Sequence, residues 1–305
     1  MVITKLEGII NPLPSTRKGG ITDIASFVNV IDYVTSAEIQ GHKIAGQWLF
    51  GATGEYNKLS DAERIAYHHA ATAKLNGNSL LFVNITGRTV DDTLRYREQA
   101  ESFGADALVI MPDCVMGADY VRCVEEIVKR TNLPIALYVN TSIGDEQGPD
   151  YNAVKDLSQN PRVIGMKVSG QQMDTFLKYA NLSSDTFGVL QGMSSQLRNT
   201  MEYLAEHGRK LDGVVLGPVN FNPNLVIRAF YGIAPKGGNL EDNWRAMDEI
   251  IEGYSRGENN IAYLKEQLLA ARIIKSAELL GEPAQGQIIL IPTPEDTLRI
   301  LRASR

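Results

Sequence analysis

The sequence predicts an α/β fold, a (β/α)8 or TIM barrel over residues 1–223 with a C-terminal helical region over 224–305 packed on it. Three observations lead there. Short apolar runs alternate with stretches whose apolar residues recur at helical spacing, the pattern of parallel strands joined by crossover helices. All runs but the first are mostly apolar on both faces, as strands buried on both sides must be. No glycine fingerprint of a dinucleotide-binding open sheet follows an early strand, and eight βα units close most naturally into a barrel.

Taken in order, the first strand is Leu6–Asn11, ended by Pro12 and Pro14. A helix follows over Thr22–Gln40, with Ile24, Phe27, Val28, Ile31 and Val34 on one face and Thr22 or Asp23 as its cap. The second strand, Gln47–Phe50, leads into the loop Gly51-Ala52-Thr53-Gly54-Glu55. Ser60 and Glu63 stand at capping-box spacing and open the next helix. Strands at Leu80–Ile85, Ala107–Met111, Ile135–Val139, Val163–Val168, Phe187–Leu190 and Gly213–Leu216 complete the eight. Helices over Val90–Phe103, Asp119–Arg130, Tyr151–Leu157, Met173–Tyr179 and Gln196–His207 fall between them. Beyond about Asn220 the strands stop. Leu225–Tyr231, Leu240–Gly257 and Asn260–Leu280 read as helices, Ile288–Ile291 is an ambiguous apolar run, and Pro294 opens a last helix through Leu301.

Composition narrows the function. The chain of 305 residues is 44% hydrophobic and 22% charged, ordinary for a soluble globular protein. A net charge of −6 lacks the clustered basic surface that nucleic acid or an anionic membrane would need. The two cysteines, Cys114 and Cys123, have neither metal-pair nor disulfide-framework spacing and read as free thiols of a reducing compartment. Lys5 and Glu7 interrupt the N-terminal apolar run, which does not read as a signal peptide, and no run approaches a membrane span. A cytoplasmic enzyme without nucleic-acid or membrane partners is expected.

The strand ends supply the chemistry of such a barrel. Lys167 sits alone in the apolar run Val163-Ile164-Gly165-Met166-Lys167-Val168, closed by Ser169-Gly170. Desolvation favours the neutral amine there, the nucleophile needed for a Schiff base with a ketone; the plain alternative is a lysine that snorkels to water or pairs with a carboxylate. Tyr138, one strand away, suits proton transfer; its plain alternative is a half-buried ring bonded through its hydroxyl. Thr53 and Glu55 lie in a glycine-bracketed loop whose amides suit a carboxylate, with a structural hydrogen bond as the other reading of Glu55. The other strand ends offer Asp113 and Cys114, Asn140, Gln191 and Gly192, and Gly217 and Asn220. His42, His68, His69 and His207 lack the pairing of metal ligands, and no metal is expected. Pro218 weakens a phosphate cradle after the eighth strand, and there is no nucleophile elbow.

The Gly51–Glu55 loop, Tyr138, and Lys167 in Gly-Met-Lys together resemble the dihydrodipicolinate synthase/N-acetylneuraminate lyase family of class I, Schiff-base-forming aldolases and dehydratases, over most of the barrel. The resemblance implies Lys167 as the Schiff-base lysine, Tyr138 as the proton carrier and Thr53 as a carboxylate ligand. It also implies a homotetramer and no cofactor beyond the covalent imine. Four departures qualify it. Ala52 stands where the family usually has a hydroxyl, and Pro112-Asp113-Cys114 where many members lend a tyrosine to the neighbouring subunit. Ile143 replaces the arginine of the synthase proper, which disfavours that activity; sialic-acid lyases are similar in having an aliphatic residue there. Their polar pair after the seventh-strand glycine, however, is Ser194-Ser195 here.

The expected function is a class I lyase or aldolase that cleaves a 2-keto-3-deoxy sugar acid or sialic-acid-like compound reversibly to pyruvate and an aldehyde. Lys167 and Tyr138 are the catalytic residues; Ala52, Thr53, Glu55, Ile143, Gly192, Ser194 and Gly217 contact the 2-keto acid. The alternatives are a dehydratase working through the same imine and a non-catalytic keto-acid-binding barrel.

Overall fold

The computed structural model describes residues 3–111, 118–140, 150–170, 172–256 and 260–281. Its central feature is a closed barrel of parallel strands. In chain order these are Gly8–Pro12, Gly46–Leu49, Leu80–Asn84, Ala107–Ile110, Ile135–Asn140, Val163–Ser169, Gly188–Gln191 and Gly213–Val215. Each strand neighbours the next in sequence, and the eighth returns to the first. By contacts the chain divides into two compact units, Met1–Ile10 with Phe82–Leu216 and Asn11–Leu81 with Gly217–Arg305. The C-terminal helices fall in the second of these, with residues 11–81.

In the first unit, pairing runs from the third strand to the eighth and on to the first, with one register shift between Val163 and Gly165 where the sixth strand meets the fifth. Phe82 lies beside Ala107, Leu108 beside Ile135, Lys167 between Tyr138 and Leu190, Leu190 beside Gly213, and Val214 beside Ile9. The strands are short and buried along almost their whole length, which is why their sequences read as continuous apolar runs. The N-terminal residues pack against the starts of these strands. Leu6 is wholly buried, and its amide donates to the Ile164 carbonyl at 2.8 Å. This approach requires glycine at position 188, where a Cβ would come within 1.7 Å of the Leu6 carbonyl oxygen.

In the second unit the first helix is Ile24–Thr35, capped by Asp23. It is shorter than expected, because Glu38–Ile39 and His42–Lys43 pair as a small antiparallel hairpin. The helix Asp61–Leu75 begins with the capping box of Ser60 and Glu63. Glu63 does more than cap. It is fully buried and accepts from Arg17, from Thr22 Oγ1 at 3.1 Å, and from the Ser60 amide and hydroxyl at 3.0 and 2.8 Å. Burial alone would push its carboxyl up, but the Ser60 bonds and the Arg17 guanidinium hold it below its ordinary 4.5. A carboxyl lowered in the folded state adds stability that is present above its ordinary value and is lost as pH falls through the folded one. Glu63→Gln is therefore expected to lower Tm at pH 7 and to flatten the acid limb of the Tm-against-pH curve, measured by thermal melts from pH 3 to 7.

The C-terminal helices are Pro223–Tyr231, Leu240–Arg256 and Asn260–Ala270. The last stops ten residues before the expected Leu280. At its end Arg272 adopts φ 59°, and the chain runs on without regular structure to residue 281. Asp113, Cys114, Ile143, the run Ile288–Ile291 and the helix expected from Pro294 lie outside the described residues.

Candidate active site

The sixth strand, Val163–Ser169, is buried at every position. Side chains alternate across a strand, so Lys167 and Ser169 share a face. Tyr138 lies opposite Lys167 in register on the fifth strand. The Lys167 Nζ stands 4.2 Å from the centroid of the Tyr138 ring, and the Tyr138 hydroxyl donates to Ser169 Oγ at 3.3 Å. Lys167 is 7% exposed, Tyr138 2% and Ser169 4%, so amine, phenol and hydroxyl meet almost out of contact with water. The ring face attracts the amine in its cationic form, while the phenol and the serine form a two-hydroxyl chain beside it. Ser169 was missed in the sequence, although its position two residues past Lys167 on a strand was the available signal.

The turn after the seventh strand leaves room for this group. A Cβ on Gly192 would fall 2.7 Å from Lys167 Cε and 2.1 Å from Ser169 Oγ, so only glycine fits there without displacing both. Its amide donates to the Val168 carbonyl at 2.8 Å. Gln191 is occupied structurally: its Nε2 donates to Thr200 Oγ1 at 3.0 Å and its Oε1 accepts from the Met193 amide at 2.9 Å. Ser194 is half-buried at the start of a 3-10 turn, and Gln196 of that turn donates to the Gly170 carbonyl at 2.7 Å.

Ala52, Thr53, Glu55 and Gly217 belong to the second unit. Ala52, Thr53 and Gly54 form a 3-10 turn in which Ala52 and Thr53 are half-buried. The amides of Gly54 and Glu55 are spent inside the turn, on the Gly51 and Ala52 carbonyls at 3.0 and 2.9 Å. That narrows the expected amide cradle to Ala52 and Thr53. Glu55 is the expectation that the geometry turns around. Its Oε2 accepts from Lys265 Nζ at 2.7 Å and its Oε1 from the Leu280 amide at 3.0 Å, with the residue 3% exposed. Both oxygens are engaged by the protein, so Glu55 is an internal anchor and not a substrate ligand. Gly217 opens a short 3-10 turn where a Cβ would come within 2.2 Å of the Tyr254 hydroxyl. Asn220 donates to the Pro12 carbonyl at 2.8 Å, a structural bond.

The histidines stand apart from this chemistry. Burial, reinforced by His69 and Arg64, pushes His68 down to about 3, which keeps it neutral. His42 stacks on Tyr231 and His207 on Tyr203. Cys123 is a buried free thiol that burial pushes up to about 11. Among the described residues no three His, Cys, Asp or Glu side chains are grouped to hold a metal ion, and no helix is long and apolar enough to cross a membrane.

Residues 5–239 match the model of the Dihydrodipicolinate synthetase family. The chain is 22% identical over 230 residues to a "Probable 2-dehydro-3-deoxy-D-pentonate aldolase" of Escherichia coli (strain K12), 73% of each chain. It is 26% identical over 167 residues to a "Probable 5-dehydro-4-deoxyglucarate dehydratase" of Ralstonia nicotianae, 53% of this chain and 52% of that protein. 4-Hydroxy-tetrahydrodipicolinate synthases are also among its relatives. In fold it is similar to a prophage protein of the dihydrodipicolinic acid synthase family from E. coli K12, solved in complex with pyruvate. The TM-score is 0.77 at 20% identity, covering 98% of this chain and 97% of that one.

Proposed function

The chain belongs to the dihydrodipicolinate synthetase family, and on that premise we propose that it is a class I lyase that cleaves a 2-keto-3-deoxy sugar acid to pyruvate and an aldehyde through an imine on Lys167. The observation that carries this reading is the buried meeting of the Lys167 amine, the Tyr138 ring and the Ser169 hydroxyl. A relative described as an aldolase of a 2-dehydro-3-deoxy sugar acid supports the substrate class.

The neutral Lys167 amine adds to the 2-keto carbon, and the carbinolamine takes up a proton from solvent and loses water to give a protonated imine. Tyr138 takes the proton of the C4 hydroxyl while its own proton passes to Ser169, which releases one to solvent. The C3–C4 bond breaks, its electron pair passes into the C2–C3 enamine, and the C4 carbon leaves as the aldehyde. The iminium nitrogen is the electron sink. Protonation at C3 and hydrolysis of the imine then release pyruvate and free Lys167. Ser169 is the second hydroxyl of this proton path, filling the function that the hydroxyl-lacking Ala52 cannot. Thr53, with the amides of Ala52 and Thr53, binds the substrate carboxylate on the resemblance of its loop. No cofactor enters the scheme, because the imine does the work of one. Ser194 and Gly217 remain candidates for the sugar end of the substrate, and cytoplasmic location and a homotetramer belong to the same proposal.

A second reading is favoured by the relative described as a dehydratase. There the same imine yields an enamine that expels a hydroxyl as water and leaves the carbon chain intact.

Borohydride trapping with pyruvate tests the shared step. A reduced adduct of pyruvate mass, mapped to Lys167, is the expected outcome. Silence with pyruvate and with longer 2-keto acids would overturn the Schiff-base reading and favour a keto-acid binder. Product analysis separates the other two, since free pyruvate plus an aldehyde excludes simple dehydration.

A further inference from the structure

The loop that carries Thr53 is bracketed by two residues in an unusual conformation. Phe50 and Glu55 have φ of 62° and 51°, in the left-handed region that few residues other than glycine or asparagine adopt. Residues held there persist only where their surroundings over-determine them. For Phe50 the Arg64 guanidinium lies 4.4 Å from the ring centroid. For Glu55 the surroundings are a C-terminal strap. Lys265, wholly buried on the helix Asn260–Ala270, donates to Glu55 Oε2 at 2.7 Å and to the Glu278 carbonyl at 2.8 Å. The Leu280 amide donates to Glu55 Oε1, and the Leu280 carbonyl accepts from Lys58 at 3.0 Å. Glu278 itself accepts from the Gly20 amide at 2.8 Å, and the Lys275 amide donates to Ser26 Oγ at 3.0 Å, so the strap is tied at several points.

A lysine buried to this extent loses hydration that only a well-placed carboxylate offsets; burial pulls it below its ordinary value while Glu55 pulls the other way. A core has cheaper ways to fill such a volume. The pair's distinguishing effect is geometric: it fixes the carboxylate of the residue that ends the Ala52–Gly54 turn.

We propose that Lys265 is a positioning residue for recognition of the keto-acid carboxylate: through its buried ion pair with Glu55 it holds the turn in the shape that presents Thr53 and the amides of Ala52 and Thr53. The inference rests on the assignment of Thr53 to carboxylate binding made above. Neither Lys265 nor Glu55 touches substrate in this account. Both act through the turn.

The test is Lys265→Met, which removes the charge and keeps most of the length. Pyruvate is the probe, trapped on Lys167 by borohydride over a range of concentrations, with a thermal melt alongside. The half-saturating pyruvate concentration is expected to rise about ten- to a hundredfold, with the adduct yield at saturation unchanged. A folded variant with wild-type half-saturation, even at lower Tm, overturns the inference, since the pair would then be structural only. A reduced yield at saturating pyruvate overturns it as well, because the pair would be acting on the amine chemistry. Glu55→Gln, which keeps an acceptor for the Leu280 amide, is read the same way if Lys265→Met does not fold. Absence of any adduct in the wild-type protein removes the Schiff-base premise and this inference together. A normal wild-type adduct beside an unmoved variant sinks this inference alone.

Discussion

Lys167→Ala is expected to lose both the borohydride-trapped adduct and turnover, with a fall of roughly 10⁴-fold or more, the scale seen when a covalent nucleophile is removed. The size follows from position. Lys167 lies in a strand buried at every residue, with the Tyr138 ring 4.2 Å from its Nζ and Gly192 leaving clearance beside its Cε. No other described side chain stands in register with Tyr138 on that strand to take over. The adduct is read by intact mass, and turnover by release of pyruvate from a panel of 2-keto-3-deoxy sugar acids. Wild-type turnover in the alanine variant would falsify the imine mechanism outright. The substitution removes a buried polar end from a packed barrel, so a loss of activity through misfolding has to be separated by circular dichroism. A folded, silent variant is the informative one.

Tyr138→Phe should split the two halves of the reaction. The ring stays and keeps its packing against Lys167, while the hydroxyl bonded to Ser169 is lost. Imine formation with pyruvate is expected to persist, and cleavage is expected to slow by roughly 10²- to 10⁴-fold, the range of a positioned acid–base group. Stability should change little, because both polar partners are small and Ser169 keeps its place beside Gly192. Loss of adduct in Tyr138→Phe would move the tyrosine from proton transfer to amine activation. Unchanged cleavage would leave it a core residue bonded through its hydroxyl, the plain alternative its sequence already allowed.

The fold was legible in the sequence because its signals are local. Ser60 and Glu63 cap a helix through contacts three residues apart, and the double-sided apolar runs mark strands covered on both faces whatever their partners are. The misses were also local, at chain turns. Gly19 and Gly20, both with positive φ, join the short strands Arg17–Lys18 and Ile21–Thr22, and such a glycine pair is itself a hairpin signal. The apolar pattern continues past Ala270 without a helix, because the strap residues Ile274 and Leu280 are apolar for burial and not for a helix. The family resemblance was carried by Thr53, Tyr138 and Lys167, and the match over residues 5–239 bears it out.

By itself the sequence determined the alternating order of elements, the buried strand with a single lysine, and the family. These depend on residue type and on spacings of a few positions, and a linear pattern records both. Only the tertiary structure decided that Ser169 completes a hydroxyl pair with Tyr138, that Gly192 is clearance for Lys167, and that Glu55 belongs to Lys265, 210 residues away. A carboxylate carries no mark of its partner in its own neighbourhood. Whether it meets substrate or a buried ammonium is settled when the chain closes on itself and desolvation forces every buried charge to find its counterion.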